Sequence, residues 1–130
     1  MIRAIKCAMV LGIISCLFLD IEIADAKRGI PAAPTPVIYK GIKFIAVDWP
    51  KHENVLGRDS DVWYVEGWDI EKNKKVWEKE AYSIAIDKFL EYDVQMVFIT
   101  SLDIENSKLI VTNERGKKYY IEIPLNILKQ

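Results

Sequence analysis

Residues 67–82, GWDIEKNKKVWEKEAY, decide the fold that the sequence predicts. They follow directly on residues 61–66, and the whole segment 61–69 (DVWYVEGWD) is rich in aromatic and β-branched residues, as strands are. Residues 70–73 predict a turn, because Asn73 tolerates a positive φ better than most residues. Residues 74–82 then return as a second strand, so the stretch predicts an antiparallel hairpin.

The same pattern of short strands and polar turns continues on both sides of this hairpin. The sequence predicts further strands at 42–48, 94–104, 108–113 and 117–123. Residues 50–60 predict a polar loop, and 87–92 predict a single helical turn. Gly116 supplies the positive φ that a short hairpin loop requires. Together these segments predict an all-β fold: a small antiparallel sheet or barrel-like domain of about six strands.

The N-terminus has the three parts of a secretory signal peptide. Arg3 and Lys6 make a positive start, residues 7–19 form an apolar run, and residues 24–26 (Ala-Asp-Ala) fit the cleavage pattern. The apolar run is shorter than the ~20 residues that span a bilayer. We therefore expect a secreted or periplasmic protein of the bacterial cell envelope. Its parts would be a signal peptide at 1–26, a Pro-rich tether at 27–36 and a single β domain at 37–130.

Two alternatives to a cleaved signal peptide remain open. In the first, the apolar run stays attached as an N-terminal membrane anchor. In the second, residues 13–16 (Ile-Ile-Ser-Cys) act as a lipobox, the lipidation motif of bacterial lipoproteins that they loosely resemble. Lipid on Cys16 would tether the protein to a membrane without changing its fold. We expect a membrane partner only in that case.

Composition argues against several classes of function. The predicted signal peptide holds two of the 18 basic and three of the 19 acidic residues, so the rest carries sixteen of each and no net charge. We expect no nucleic-acid partner, because nucleic-acid-binding domains show a basic excess. Cys7 and Cys16 both lie in the signal peptide, so no disulfide or thiol chemistry is expected after cleavage. His52, the only histidine, predicts a surface residue rather than a zinc site. No metal or cofactor is expected.

Residues 67–82 also resemble the blade motif of quinoprotein-type (PQQ-like) β-propellers, which runs Ala-x-Asp-x-x-Thr-Gly-Lys-x-x-Trp. Gly67 stands at the Ala position, Asp69 at the Asp, Lys74 at the Lys and Trp77 at the Trp, while Lys-Asn replaces the Thr-Gly pair. A second segment, 109–123, resembles the inner hairpin of such a blade.

This resemblance implies propeller-blade-like hairpins, in which the Asp and the turn hold the hairpin and the Trp packs between blades. A propeller needs at least about four blades of four strands each. The resemblance therefore implies about one and a half blade-like units rather than a propeller. It implies no quinone site, since the quinone sits in the axial channel of a closed propeller.

The candidate site is aromatic. Strand alternation places Trp63 on one face of the 61–69 strand, and Tyr64 and Trp68 on the other. One face is core, and the other is either a second packed face or an exposed platform for a protein, peptide or carbohydrate. Trp and Tyr dominate the energetic centres of interfaces. The predicted ligand- or partner-binding residues are Trp63, Tyr64, Trp68 and Trp77.

Acidic residues support a rival interpretation. They form two groups, Asp48, Asp59 and Asp61 and, further along, Asp87, Glu91 and Asp93. The first group lacks the turn glycine and the closing Glu of a calcium loop. Paired carboxylates serve glycoside hydrolysis if they converge in one cleft, but spacing alone assigns no catalytic residue. We therefore predict an exported, non-enzymatic binding module. The alternatives are a small acid-residue hydrolase and a structural subunit that assembles through an open sheet edge.

Overall fold

A computed structural model describes residues 29–130, and the predicted signal peptide lies outside the described residues. Residues 31–130 form one compact unit. The predicted all-β fold is confirmed: the described chain consists of eight strands in two antiparallel sheets with one short helix. The elements are β1 Val37–Tyr39, β2 Ile42–Ala46, β3 Lys51–Val55, β4 Arg58–Asp69, β5 Lys74–Ala85, α1 Tyr92–Gln95, β6 Ile99–Glu105, β7 Lys108–Asn113, β8 Lys118–Glu122 and a 3₁₀ turn at Leu125–Ile127.

The first sheet is organised around the long strand β4. Strand β5 pairs with it along 60–69 on one side. On the other side, β3 pairs with residues 58–62 and β2 with residues 65–69, so two short strands share one edge of β4. Strand β1 completes the sheet on the far side of β2. The chain therefore runs as an antiparallel meander in which β4 is central.

The second sheet is the meander β6–β7–β8, which packs against the first. Both sheets contribute to one apolar core, whose most buried members are Ile42, Phe44, Trp63, Val65, Leu109 and Val111. Within residues 29–130 the sheets close into neither a barrel nor a propeller. The core orients β4, because the strand has one face turned to the second sheet and one turned to solvent.

The predicted hairpin at 67–82 is present as the β4–β5 turn, and two of its polar residues hold it. Asn73 has φ 51°, as the sequence predicts. The Asp69 carboxylate accepts a hydrogen bond from the Lys72 backbone N–H at 3.1 Å and lies 2.8 Å from the Lys129 ammonium. Asp69 therefore joins the turn to the C-terminal segment, whose Lys129 N–H donates to the Lys40 carbonyl at 2.8 Å.

The prediction of a polar loop at 50–60 is wrong, since most of this segment forms β3, a tight turn and the start of β4. Four of the five β3 residues are exposed, and they lie on both faces of the strand, so β3 shows no alternation of apolar and polar residues. Its turn is made by Leu56 and Gly57, both at positive φ (52° and 81°), where hairpins favour Asn-Gly. Strand β1 was missed because it has three residues. The one helical turn is α1, at Tyr92–Gln95 rather than 87–92.

Candidate functional site

The two faces of β4 are chemically different. Trp63, Val65, Gly67 and Asp69 point inward and are buried, as their burial pattern shows. The residues between them, Tyr64, Glu66 and Trp68, point away from the second sheet and are half-buried. Alternation along the strand thus separates the predicted site residues, as expected for successive strand positions.

Trp63 belongs to the core. Its side chain is only 1% exposed. The indole meets the Phe98 ring edge-on with centroids 5.1 Å apart and stacks on Tyr82 at 6.1 Å. Its buried Nε1–H has no hydrogen-bond partner among the described residues. Trp63 is therefore a core residue, and a partner would not reach it while the domain is folded.

Trp77 also faces inward, at the margin of the core. Its half-buried ring meets Phe44 edge-on, with centroids 5.7 Å apart and an interplanar angle of 84°. It pairs across the strands with Gly67. A Cβ at position 67 would lie 3.3 Å from atoms of Trp77, Phe44 and Ile42, so the close approach of these rings depends on the glycine.

Tyr64 and Trp68 remain as the outward-facing aromatic pair. The Tyr64 hydroxyl donates to the Glu53 carboxylate at 2.8 Å, and the Trp68 Nε1–H donates to Glu66 at 3.1 Å. The Lys51 ammonium lies 4.5 Å from the centroid of the Tyr64 ring, a cation–π contact. We call this surface the outer face; it comprises Lys51, Glu53, Tyr64, Glu66, Trp68, Lys75 and Glu78.

Ion pairs connect the charged members of the outer face. Lys75 lies 3.4 Å from Glu66 and 3.8 Å from Glu78, and Lys51 lies 3.5 Å from Glu78. Exposed pairs of this kind add little stability, but they hold the carboxylates beside the two rings. The hydrogen bond to Glu53, with a smaller contribution from burial, raises the pKa of Tyr64 to about 12. The phenol therefore stays neutral at physiological pH.

A second cluster, which the sequence analysis did not predict, lies at the end of the first sheet. The β3–β4 register sets His52 opposite Asp61, and His52 Nδ1 lies 2.6 Å from Asp61 Oδ1. Tyr92 of α1 donates its hydroxyl to Asp61 Oδ2 at 2.8 Å, and that hydroxyl also lies 3.3 Å from His52 Nε2. We call these three residues the His–Asp–Tyr cluster.

The His–Asp–Tyr cluster combines a buried carboxylate with an exposed imidazole. The Asp61 side chain is fully buried, whereas that of His52 is 69% exposed. Although the ring nitrogen is close, it does not point along a hydrogen bond to Oδ1, so the contact is an ion pair when the imidazole is protonated. Burial, helped by the hydrogen bond to Asp61, raises the pKa of Tyr92 well above its ordinary value.

The cluster borders a cleft of about 390 Å³, lined by His52, Glu53, Asn54, Asp59, Ser60, Ile86 and Tyr92. A neighbouring groove of about 540 Å³ includes Asp59 and Asp87. Asp59 lies 3.5 Å from the Lys88 ammonium, and Asp87 accepts from the Phe89 N–H at 2.9 Å. The hydrolase alternative therefore has two of its carboxylates, Asp59 and Asp87, in one groove, whereas Asp48 lines neither cleft.

Sequence reasoning missed the cluster for identifiable reasons. His52 falls in the segment that the sequence predicts as a loop, where a residue has no cross-strand partner. Recognition of β3 would have paired the two residues, because a two-residue turn at 56–57 fixes the register. No local signal points to Tyr92, which is 31 residues beyond Asp61 and arrives through tertiary packing.

Residues 29–130 contain no group of three or more His, Cys, Asp or Glu side chains placed to hold a metal ion. None of their helices has the length and apolar character needed to cross a membrane. In comparisons with known proteins, no family model, curated protein or solved structure matches this chain.

Proposed function

We propose that the protein is an exported, non-enzymatic binding module whose outer face docks a protein partner. The observation that carries this proposal is the pair Tyr64 and Trp68, two aromatic side chains on the solvent-facing side of β4 with their polar atoms already hydrogen-bonded. Export rests on the signal peptide that residues 1–26 predict, and the resemblance to propeller blades is compatible with a sheet that packs on a partner.

The hydrogen bonds within the outer face favour binding through the rings. A buried donor that loses water without gaining a partner costs about 1–3 kcal/mol. Because Glu53 and Glu66 already accept from Tyr64 and Trp68, covering these rings leaves neither donor unpaired. The same bonds restrict the side-chain rotamers before binding, which lowers the entropy lost on association.

The surroundings of the two rings suit a protein surface. Trp and Tyr are enriched at the energetic centres of protein interfaces, and polar residues form the rim. Here the rim has both signs of charge, with Lys51 and Lys75 beside Glu53, Glu66 and Glu78. A partner that carries both signs of charge would match this rim, whereas a nucleic acid would not.

The proposal is tested by capture of partners from the exported fraction of the host. The tagged protein is compared with Trp68→Ala and Tyr64→Ala variants after mild cross-linking, and recovered proteins are quantified by mass spectrometry. We expect one reproducible partner whose recovery falls at least about tenfold in each variant, the equivalent of about 1.4 kcal/mol. Equal recovery by all three proteins would contradict the proposal.

The matched control is Leu125→Ala. Leu125 is 79% exposed and lies in the 3₁₀ turn, outside the outer face. Its truncation removes a comparable exposed apolar side chain and should leave capture unchanged. Circular dichroism and thermal unfolding of all variants establish that any loss of capture comes from the surface and not from loss of the fold.

A small hydrolase remains the second candidate, favoured by the contact between His52 and Asp61. Many enzymes place a carboxylate beside the histidine that acts as general base. Here His52 Nδ1 lies 2.6 Å from Asp61 Oδ1, and His52 lines the adjoining cleft. The test is a screen of the purified protein against chromogenic esters and glycosides, with His52→Gln as the comparison. Turnover that His52→Gln abolishes would support this candidate and would count against the non-enzymatic proposal.

A further inference from the structure

Strand β8 lies at the edge of the second sheet. Its pairing with β7 determines which of its residues direct their backbone N–H and C=O groups outward. It pairs with β7, and within residues 29–130 no strand pairs with its outer edge. The Asn113 N–H donates to the Lys117 carbonyl at 3.0 Å, which makes this the hydrogen-bonded pair that closes the hairpin. Antiparallel pairs alternate in type, so residues 119 and 121 direct their N–H and C=O groups toward β7.

It follows that residues 118, 120 and 122 direct their backbone N–H and C=O groups outward. Their side chains share one face of the sheet and are exposed, with Tyr120 61% exposed and the Glu122 side chain 80% exposed. Tyr119 and Ile121 point to the opposite, buried face. The open edge therefore carries, in order, a cation, a tyrosine and an anion.

We propose that β8 pairs with β8 of a second copy of this chain, antiparallel and about a two-fold axis that passes beside Tyr120. In this register Tyr120 lies opposite Tyr120 of the second copy, and Lys118 lies opposite its Glu122. The symmetry repeats the charge pair at the other end, so the sequence Lys-Tyr-Tyr-Ile-Glu is complementary to itself. Such an isologous contact is the usual form of a homodimer.

Backbone geometry agrees with this register. Residues 118, 120 and 122 all direct hydrogen-bonding groups outward, and the register pairs each of them with another residue of that set. Every outward N–H and C=O of the strand then has a partner. Centring the axis on Lys118 or on Glu122 would instead place like charges directly opposite, which is destabilising.

Two neighbouring features shape this edge: a proline ends it, and a groove lies beside it. Pro124 occupies the next outward position and has no N–H to donate, so it ends the pairing edge at Glu122. A groove of about 680 Å³ runs between β8 and β5, whose walls include Trp77, Ala81 and Tyr119. Trp77 and Tyr119 add apolar surface beside the edge.

The charged side chains at this edge make fewer ion pairs and hydrogen bonds than those of β3. Within the described residues the Lys118 ammonium makes no ion pair, and Glu122 is held only by Lys108, at 3.1 Å. At β3, another polar edge, Lys51 already contacts Glu78 and Glu53 already accepts from Tyr64. This contrast favours β8 over β3 as the self-pairing edge.

Sedimentation equilibrium over a wide concentration range tests the proposal. The wild-type protein should show a reversible monomer–dimer equilibrium. Lys118→Glu sets two carboxylates opposite each other at both ends of the pair, and Glu122→Lys sets two ammoniums there. Each single variant should therefore be monomeric under conditions that dimerise the wild type. The swapped protein that carries both substitutions should dimerise again.

A mixture of the two single variants gives the sharpest readout. Lys118→Glu and Glu122→Lys are complementary to each other in the proposed register, so the mixture should form heterodimers although neither variant dimerises alone. Lys79→Glu, on the β5 wall of the same groove, is the matched charge control and should dimerise like the wild type. Because Glu122→Lys also breaks the ion pair with Lys108, Lys108→Ala is measured beside it and should still dimerise.

Three results would overturn the proposal. They are a wild type that stays monomeric at every concentration, a dimer that both single variants retain, and a mixture of single variants that stays monomeric. The outcome is independent of the binding proposal, because the outer face lies on the first sheet and β8 on the second.

Discussion

The inner and outer faces of β4 carry the same types of aromatic residue in opposite settings. On the inner face, Trp63 is 1% exposed and is packed by Phe98 and Tyr82, with no polar partner for its Nε1–H. On the outer face, Trp68 is half-buried and its Nε1–H is bonded to Glu66. Packing stabilises the first indole in the core, and hydrogen bonding orders the second at the surface.

This difference shows how to separate stability from binding in a small domain. A side chain without a polar partner in the core contributes by excluding water and filling space. A ring held by carboxylates at the surface contributes little to unfolding free energy but is ordered for contact with a partner. Substitutions at Trp63, Gly67 and Asp69 on the inner face should therefore change stability more than Tyr64→Phe on the outer face.

Trp63→Ala should give the largest loss of stability. It removes a fully buried indole and leaves a cavity beside Phe98 and Tyr82, so we expect a loss of about 3–5 kcal/mol. Small domains have only about 5–15 kcal/mol in total. Urea denaturation followed by circular dichroism measures the change. A Trp63→Ala loss no larger than that of Trp68→Ala would contradict the assignment of inner and outer faces.

Gly67→Ala should destabilise the domain by about 1–3 kcal/mol, the usual range for overpacking. The added methyl carbon would lie 3.3 Å from atoms of Trp77, Phe44 and Ile42, so these side chains would have to shift to make room for it. Chemical denaturation again provides the measurement. If the cause is crowding by the indole, adding Trp77→Leu to Gly67→Ala should cost less than the sum of the two single effects, whereas simple additivity would reject that cause.

Asp69→Asn should flatten the acid limb of the stability curve. The Lys129 ammonium, followed by the Lys72 N–H, lowers the pKa of Asp69 below its ordinary value. A carboxyl whose pKa is lower in the folded state adds stability above its ordinary pKa of about 4, and loses it as pH falls through the lowered pKa. Unfolding free energy measured against pH should therefore fall less steeply below about pH 4 in the variant.

The pair of Asp69 and Lys129 has a second, alkaline consequence. The hydrogen bond to Asp69 raises the pKa of Lys129. The stability that Lys129 contributes is thus complete below the ordinary lysine pKa and disappears as pH rises through the raised one.

The control for Asp69→Asn is Asp103→Asn, since Asp103 lies exposed on β6. A pH profile altered equally by Asp103→Asn would show that general charge, and not this pair, sets the acid limb.

Tyr64→Phe should have the smallest effect on stability. It removes only the hydroxyl that donates to Glu53, at an exposed site. That hydrogen bond is the main reason that the pKa of Tyr64 is raised to about 12. Spectrophotometric titration of tyrosinate should therefore lose one group that ionises near that pH. Loss of an early-titrating group instead would contradict the hydrogen bond to Glu53.

The sequence predicted the fold class and the central hairpin because those features are local. Aromatic and β-branched residues in 61–69, the tolerance of Asn73 for positive φ and the return at 74–82 all lie within one short stretch. Strand β3 escaped because its residues are polar on both faces, and apolar alternation is the signal that identifies a strand.

The candidate site was only partly predictable. Alternation correctly separated Trp63 from Tyr64 and Trp68, but it does not say which of two aromatic faces meets the second sheet. That choice depends on contacts with Phe98 and Tyr82, which come from distant parts of the chain. The same limit applies to Tyr92, whose bond to Asp61 depends on tertiary packing.

Site-specific photo-cross-linking in the host tests the central claim, that the outer face of β4 is a binding surface, most directly. A photoreactive residue replaces Lys75, the cross-strand neighbour of Trp68, in one variant and the exposed Asp103 of the second sheet in another, so both rings of the outer face are kept. The account predicts a single discrete cross-linked partner from position 75 that is absent from position 103. Identical products from both positions, or none from position 75, would contradict it.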